Sequence, residues 1–239
     1  FRQKRLTEMK NDFINNMTHE FKTPISTISL AAQMLKDPAV AKSPQMFQHI
    51  SGVINDETKR LRFQVEKVLQ MSMFERQKTM MKLNAVDVND LVTSVMSTFK
   101  LKVEKFGGTI DADLAAEDAM VMVDEMHFTN VIFNLLDNAV KYAREDVPLA
   151  LFIRTRIEGD KVEISIQDNG IGIKKEDLKK IFEKFYRVST GNLHNVKGFG
   201  LGLAYVHKIV TDLKGTIRAE SELGVGTKFI ITLPLIKNK

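Results

Sequence analysis

Apolar residues recur in steps of three and four near the start of the chain, at Leu6, Met9, Phe13, Met17, Phe21, Ile25, Ile28, Ala32 and Leu35. A spacing held for so long fits one amphipathic helix and little else. At roughly 100° per residue the stripe covers less than half the circumference, and His19 falls about 170° from its centre. Pro24 lacks an N–H and crowds the preceding turn. The stripe nevertheless continues past it in phase, which predicts a bent helix rather than two separate ones. Residues 37–44 read as a short loop, with Ser43 and Pro44 suited to a cap and a first turn. A second stripe, Phe47, Ile50, Ile54, Leu61, Val65 and Val68, runs to about Phe74. Two long helices joined this way make an antiparallel hairpin. A lone hairpin leaves its stripe half covered, so a homodimer forming a four-helix bundle is expected.

After Arg76-Gln77-Lys78 the period changes, and a domain boundary is expected there, dividing residues 1–80 from 81–239. Residues 82–84 suit a short strand. Asp87 suits the cap of a helix carrying Val88, Leu91, Val92, Val95, Phe99 and Val103, which Gly107-Gly108 breaks. Residues 109–114 and 120–123 read as strands. Asp124 opens a helix to about Tyr142 with Phe128, Val131, Ile132, Leu135, Leu136 and Ala139 inward. Residues 149–156 and 162–167 alternate as strands around Glu158-Gly159-Asp160. A short helix over 175–182, a polar loop over 188–197 and a helix over 201–213 follow. Strands over 216–219 and 227–233, joined by a turn at Gly224 and Gly226, end the pattern. The fold class is α+β, a helical hairpin followed by a sandwich with helices on one face of a mixed sheet.

Composition narrows the chemistry. With 239 residues and 44% apolar content there is material for two modest cores. The absence of cysteine excludes disulfides and thiolate metal sites and allows a reducing compartment. The net charge of +5 is scattered rather than massed in a stripe, so no nucleic-acid partner is expected. No apolar run is long enough for a bilayer and nothing resembles a signal peptide, so no membrane contact is expected of this stretch itself. Residue 1 falls inside a helical pattern with no cap before it. The expectation is a cytoplasmic piece of a longer protein, one that could be membrane-anchored.

His19 offers a neutral nucleophilic nitrogen at physiological pH. A lone histidine is ordinarily a solvated side chain, but here the neighbours matter. Glu20 can orient or deprotonate the imidazole, and Thr23, one turn on, brings to the same face a hydroxyl that could position water. Asn130, Asn134 and Asn138 repeat every four residues and form a polar ridge on an otherwise apolar helix. Asparagine is a poor helix former, so three in register are a cost without a ligand. A merely solvated ridge does not explain Lys141-Tyr142 at its end. Mg²⁺ takes few protein oxygens besides water and phosphate, which suits the amide oxygen of Asn134. Asn138 and Lys141 would then meet phosphates, with Tyr142 beside them.

Asp168-Asn169-Gly170-Ile171-Gly172-Ile173 follows a strand. Its glycines let backbone approach a flat ligand, and the Asp168 carboxylate can accept from an adenine amino group. Alone, that pattern is equally a strand-ending turn; the asparagine helix upstream favours the nucleotide. Gly198, Gly200 and Gly202 open a helix through Leu201 and Leu203, where backbone donors and the helix dipole favour phosphate. Neither a Rossmann nor a Walker pattern is present. The 188–197 loop, with Gly191 and polar residues, has the composition of a lid. His49, His127, His194 and His207 read as structural or solvent-exposed.

In order and spacing these motifs resemble the sensor histidine kinases of two-component signalling, over essentially the whole chain. Thr18-His19-Glu20-Phe21-Lys22-Thr23-Pro24 resembles that family's phospho-acceptor box. The resemblance implies phosphorylation at His19, with Glu20 assisting the kinase step and Thr23 the reverse, phosphatase step. Asn134 falls on the metal position of the asparagine box. Thr227, in Gly224-Val225-Gly226-Thr227, resembles the residue that supports the adenine contact. Phe182-Glu183-Lys184-Phe185-Tyr186-Arg187 resembles the phenylalanine box, in which Tyr186 would meet the nucleotide and Arg187 neutralise the departing γ-phosphate. The implied fold is a dimerisation hairpin and an ATP-binding sandwich of the Bergerat, or GHKL, type. The implied ligands are ATP and Mg²⁺, and the implied partner is a response-regulator receiver domain. Two alternatives stay open: an ATPase of the gyrase, Hsp90 or MutL type, which shares this nucleotide fold but has no phospho-acceptor hairpin, and a structural dimer with an inactive kinase domain.

Overall fold

The first stripe becomes α1 (Arg2–Met34), a single helix of 33 residues with Pro24 inside it. Pro24 withholds the N–H that the Glu20 carbonyl would accept. On either side of it the hydroxyls of Thr23 and Thr27 donate to the His19 and Thr23 carbonyls, at 3.3 and 3.1 Å. Such back-bonding suits a locally distorted helix. The computed structural model describes residues 2–75, 81–105, 107–188 and 200–236. They fall into two compact units, Phe1–Thr79 and Met80–Lys239.

The segment expected to be a plain loop contains one helical turn, α2 (Pro38–Ala41). Asp37 caps it by accepting from the Ala39 N–H at 2.8 Å, and Pro38 stands at its first position, where no N–H is missed. Ser43 then accepts from the Met46 N–H at 3.4 Å and opens α3 (Pro44–Glu75). The core of the hairpin is Ala31, Val40 and Ile50, with Leu35, Val53 and Ile54 packed against it. The stripe is covered off-centre. Pro24 and Ala31 are buried, whereas Ile25 is 52% exposed and Ala32 is exposed. In a single chain α3 shields only one flank of α1, so Ile25, Leu30 and Met34 remain uncovered, as do Met46, Phe47 and Val65 on α3.

In the second unit β1 (Asn84–Asp87) begins two residues later than expected, because it pairs antiparallel with β3 (Met120–Val123), Asn84 opposite Val123. The Lys82 N–H is spent on Asp124 instead. Asp87 accepts from the Asn89 and Asp90 N–H groups and starts α4 (Val88–Glu104), whose six expected core residues are all buried. Between β1 and β3 in sequence, β2 (Thr109–Leu114) joins a different sheet. Asp124 caps α5 (Glu125–Lys141). Then come β4 (Ala150–Glu158), β5 (Lys161–Asp168), the one-turn α6 (Lys175–Leu178), α7 (Gly202–Asp212), β6 (Thr216–Glu222) and β7 (Gly226–Pro234).

The larger sheet has the order β2-β4-β5-β7-β6, parallel only between β2 and β4. Helices α4, α5 and α7 form the layer packed on it. Phe99, Phe128, Ile132, Leu135, Leu136 and Ile209 on the helices, with Leu151, Ile153, Ile164, Ile166 and Ile231 on the strands, are almost fully buried. Helix α6 ends at Leu178 rather than near 182. Lys174 offers no capping side chain, and the Asp177 carboxylate accepts from Tyr186 as the chain turns back. At the other edge of the sandwich, Asp124 is 8% exposed and accepts from the His127 N–H at 3.1 Å and the Lys82 N–H at 2.9 Å. Asp124→Ala removes a cap and a tie between segments together, and is expected to cost about 2 kcal/mol. Urea denaturation of the full chain measures this; an unchanged midpoint for the second transition would contradict it.

Candidate active site

In the hairpin unit, His19 and Thr23 are both exposed on α1, one turn apart. The imidazole is thus open to an incoming electrophile. The Thr23 hydroxyl reaches back to the His19 carbonyl. Glu20 is half-buried, and one of its oxygens accepts from the Gln64 amide of α3 at 3.3 Å.

In the second unit the site is built around Asp168 at the end of β5. One carboxylate oxygen accepts from the Gly170 N–H at 2.8 Å and from the Thr227 N–H at 3.2 Å. Burial pushes the Asp168 pKa up, and these two backbone donors pull it partly back. The second bond follows from strand register, since Asp168 stands opposite Thr227. Close backbone approach explains two glycines. A Cβ on Gly172 (φ +71°) would overlap the Glu222 carbonyl, and one on Gly226 (φ +148°) the Asp168 carbonyl.

Ser221 carries no signal in the local sequence. It faces Thr227 across the β6–β7 ladder, 2.9 Å between the hydroxyl oxygens, donates to the Gly226 carbonyl at 2.7 Å and accepts from the Ile173 N–H at 2.8 Å. Nor does Arg144. Its guanidinium forks onto Asp146 at 2.6 and 2.9 Å and donates to the Gly224 carbonyl at 2.8 Å. The Gly224 N–H donates to the Ile171 carbonyl and the Ile171 N–H to the Tyr142 carbonyl, at 2.7 and 3.0 Å. The end of α5, the Asp168 loop and the β6–β7 turn are therefore one hydrogen-bonded wall.

On α5, the Asn134 amide N–H donates to the Asn130 carbonyl at 2.7 Å, which leaves its side-chain oxygen for another partner. That oxygen faces the start of α7: a Cβ on Gly202 would stand 2.9 Å from it. An amide oxygen beside a helix N-terminus suits a metal-phosphate ligand. Asn138 is half-buried on the same helix. Lys141, expected to meet phosphates, is ion-paired within its own helix. Its ammonium lies 2.7 Å from Asp137, a buried carboxylate that also faces Lys102 at 3.4 Å. Tyr142 ends the helix; the surrounding protein raises its hydroxyl pKa and the nearby charge of Arg187 offsets part of the rise. The Tyr186 hydroxyl donates to Asp177 on α6. The Phe185 N–H donates to the Gly200 carbonyl at 3.0 Å, joining the two chain segments on either side of residues 189–199. Leu201 is buried and Leu203 half-buried. Gly198, His194 and most of the expected lid lie outside the described residues.

Two family models match the chain. The His Kinase A (phospho-acceptor) domain matches residues 9–77, and the histidine kinase-, DNA gyrase B- and HSP90-like ATPase matches residues 123–237. The sensor protein RprX of Bacteroides fragilis is 74% identical over 238 residues, which are all of this chain and 46% of that protein. The sensor-like histidine kinase SenX3 of Mycolicibacterium smegmatis is 31% identical over 96% of this chain and 59% of its own length. The chain therefore spans about half the length of the curated relatives it matches. A solved structure of the histidine kinase ThkA in complex with the response regulator protein TrrA covers 98% of this chain and 64% of its own, with a TM-score of 0.66 at 23% identity. Among the described residues no helix is long and apolar enough to cross a membrane.

The half-buried Asp168 carboxylate has consequences for both stability and nucleotide affinity. Its folded pKa lies above the unfolded value, so the native state holds this proton to higher pH than the unfolded chain does. Its contribution favours folding below the unfolded pKa and turns unfavourable as pH rises through the folded one. Asp168→Asn removes the charge, so thermal melts of the nucleotide-free variant should gain on the wild type as pH rises from 3 to 7 (on the order of the carboxylate titration range). The amide now presents a donor where adenine also donates. Calorimetric titration should show ATP affinity reduced roughly ten- to a hundredfold. Unchanged affinity would remove Asp168 from the nucleotide site.

Proposed function

We propose, from the premise that this chain belongs to the sensor histidine kinases of two-component signalling, that it phosphorylates His19 from ATP and passes the phosphoryl group to an aspartate of a response regulator. The observation that carries the proposal is an exposed imidazole next to Glu20 and one turn from Thr23, in a chain whose second unit knits three segments around a half-buried Asp168. Residues 1–80 act as the dimerisation and phosphotransfer hairpin, and residues 81–239 as the ATP-binding domain. The uncovered Ile25, Leu30, Met34, Met46, Phe47 and Val65 support pairing of two hairpins into a four-helix bundle. The solved complex of ThkA with its response regulator supports a receiver domain as partner. We read the chain as the cytoplasmic part of a longer sensor.

Asp168 accepts from the adenine amino group, with Thr227, Gly170, Gly172 and Ile173 shaping that pocket. The α7 N-terminus at Gly200, Leu201, Gly202 and Leu203, with Asn138, receives the phosphates. The Asn134 oxygen suits Mg²⁺, which would supply charge neutralisation across the phosphate chain. An imidazole nitrogen of His19 attacks the γ-phosphorus in line, the bond from phosphorus to the bridging oxygen breaks, and ADP leaves. Glu20 takes the proton from the other ring nitrogen, and Arg187 offsets the developing charge. The new P–N bond breaks in turn when a receiver carboxylate attacks phosphorus. Thr23 orients the water of the reverse, phosphatase reaction.

With γ-labelled ATP the chain should retain acid-labile, base-stable label, the behaviour of a phosphoramidate, and His19→Gln should retain none. Phosphate release without retained label would point to an ATPase instead. Thr23→Ala should keep most of the labelling rate and lose dephosphorylation of the purified phospho-regulator. Equal slowing of both would assign the hydroxyl to helix geometry near Pro24. Asn134→Ala should abolish labelling with the fold intact by circular dichroism, and retained labelling would remove Asn134 from the metal position.

A further inference from the structure

The seam of α3 runs Ile50, Ile54, then position 57, Leu61, position 64 and Val68, in alternating steps of four and three. Apolar side chains fill it except at 57 and 64, where Glu57 and Gln64 stand. Each buries a side-chain oxygen with no hydrogen-bond partner among the described residues, Glu57 through Oε2 and Gln64 through Oε1. Gln64 is only 8% exposed. Burying an amide with one end unsatisfied is costly, and a leucine there would suit the seam better. Among the described residues the Gln64 side chain makes one hydrogen bond. Its Nε2 donates to Glu20 Oε2 at 3.3 Å, across the hairpin from α3 to α1.

We propose that Gln64 is a positioning residue for phosphotransfer, holding the carboxylate of Glu20 in place beside His19; this rests on the kinase reading above. A free glutamate samples several rotamers about three rotatable bonds. Anchoring one carboxylate oxygen to a buried amide removes most of that freedom and leaves the other oxygen for the neighbouring imidazole. The bond joins the buried Gln64 of α3 to α1, so it also ties the level of α3 to the level of His19, the register role that a polar seam residue performs in coiled coils.

The test is a double-mutant cycle on the full chain, reading kcat and KM for ATP in autophosphorylation together with thermal stability. Gln64→Met keeps length and loses the donor; Gln64→Leu is the second variant, suited to the seam. Each should lower kcat roughly tenfold, the loss expected for one hydrogen bond to a charged group. KM for ATP and the melting temperature should not fall correspondingly. In a Glu20→Ala background neither should lower kcat further. Wild-type kcat in both Gln64 variants overturns the proposal. So does the same fractional loss with and without Glu20, which would assign Gln64 to packing alone. If the wild-type chain takes no acid-labile label, the kinase reading fails and this proposal with it. A labelled wild type with unaffected Gln64 variants overturns only the positioning role.

Discussion

A single carboxylate oxygen of the half-buried Asp168 accepts from two backbone N–H groups that belong to different parts of the chain. Gly170 follows it in its own loop; Thr227 stands opposite on the neighbouring strand. A carboxylate taken out of water is costly unless hydrogen bonds replace its hydration. Here the replacement comes from main chain, which cannot rotate away. That gives the end of β5 and the start of β7 a fixed relation, and the rest of the wall builds outward from it. Ser221 secures Ile173 and Gly226 together, and the turn at Gly224 bonds to Ile171 on one side and to Arg144 on the other.

The hairpin works on a different principle. Its helices satisfy their own backbones, and its functional side chains sit on the face that packing does not need. His19 and Thr23 are exposed because they lie off the apolar stripe. The cost of Pro24 is absorbed inside one continuous helix, where hydroxyls of Thr23 and Thr27 donate to carbonyls on either side. The stability of such a hairpin depends on burying its remaining apolar surface. Ile25, Leu30 and Phe47, left open in a single chain, mark how much of that surface is still available.

Much of this was readable from periodicity and punctuation. The long stripes, the caps Asp87 and Asp124, and the six core residues of α4 all follow from local rules: 3.6-residue repetition, side chains that accept orphan N–H groups, and the compatibility of proline with a first turn. Failures occurred where a partner distant in sequence decides. The expected strand at 82–84 slid to Asn84–Asp87 because pairing with β3 sets the register and Asp124 claims the Lys82 N–H. Ile25 and Ala32 belong to the stripe by spacing, yet in the single chain α3 shields Pro24 and Ala31 instead. Ser221 and Arg144 carry no local signature, since their meaning lies in bonds to residues 48 and 80 positions away.

Local patterning in the chain was enough for the long helices and most strands, for which faces are apolar, and for an imidazole, an asparagine ridge and two glycine segments in an order resembling one family; the one-turn α2 was not among them. These are properties of neighbours in the chain, where a few residues fix dihedrals and amphipathicity. Only the tertiary structure decided where the charges are directed. Lys141 turns to Asp137 and Tyr186 to Asp177, Asn134 turns its amide N–H into its own helix and its oxygen outward, and Gln64 reaches across the hairpin to Glu20. A charged or amide side chain has several rotamers of similar intrinsic energy. The choice among them is made by whichever partner the fold brings within hydrogen-bond distance.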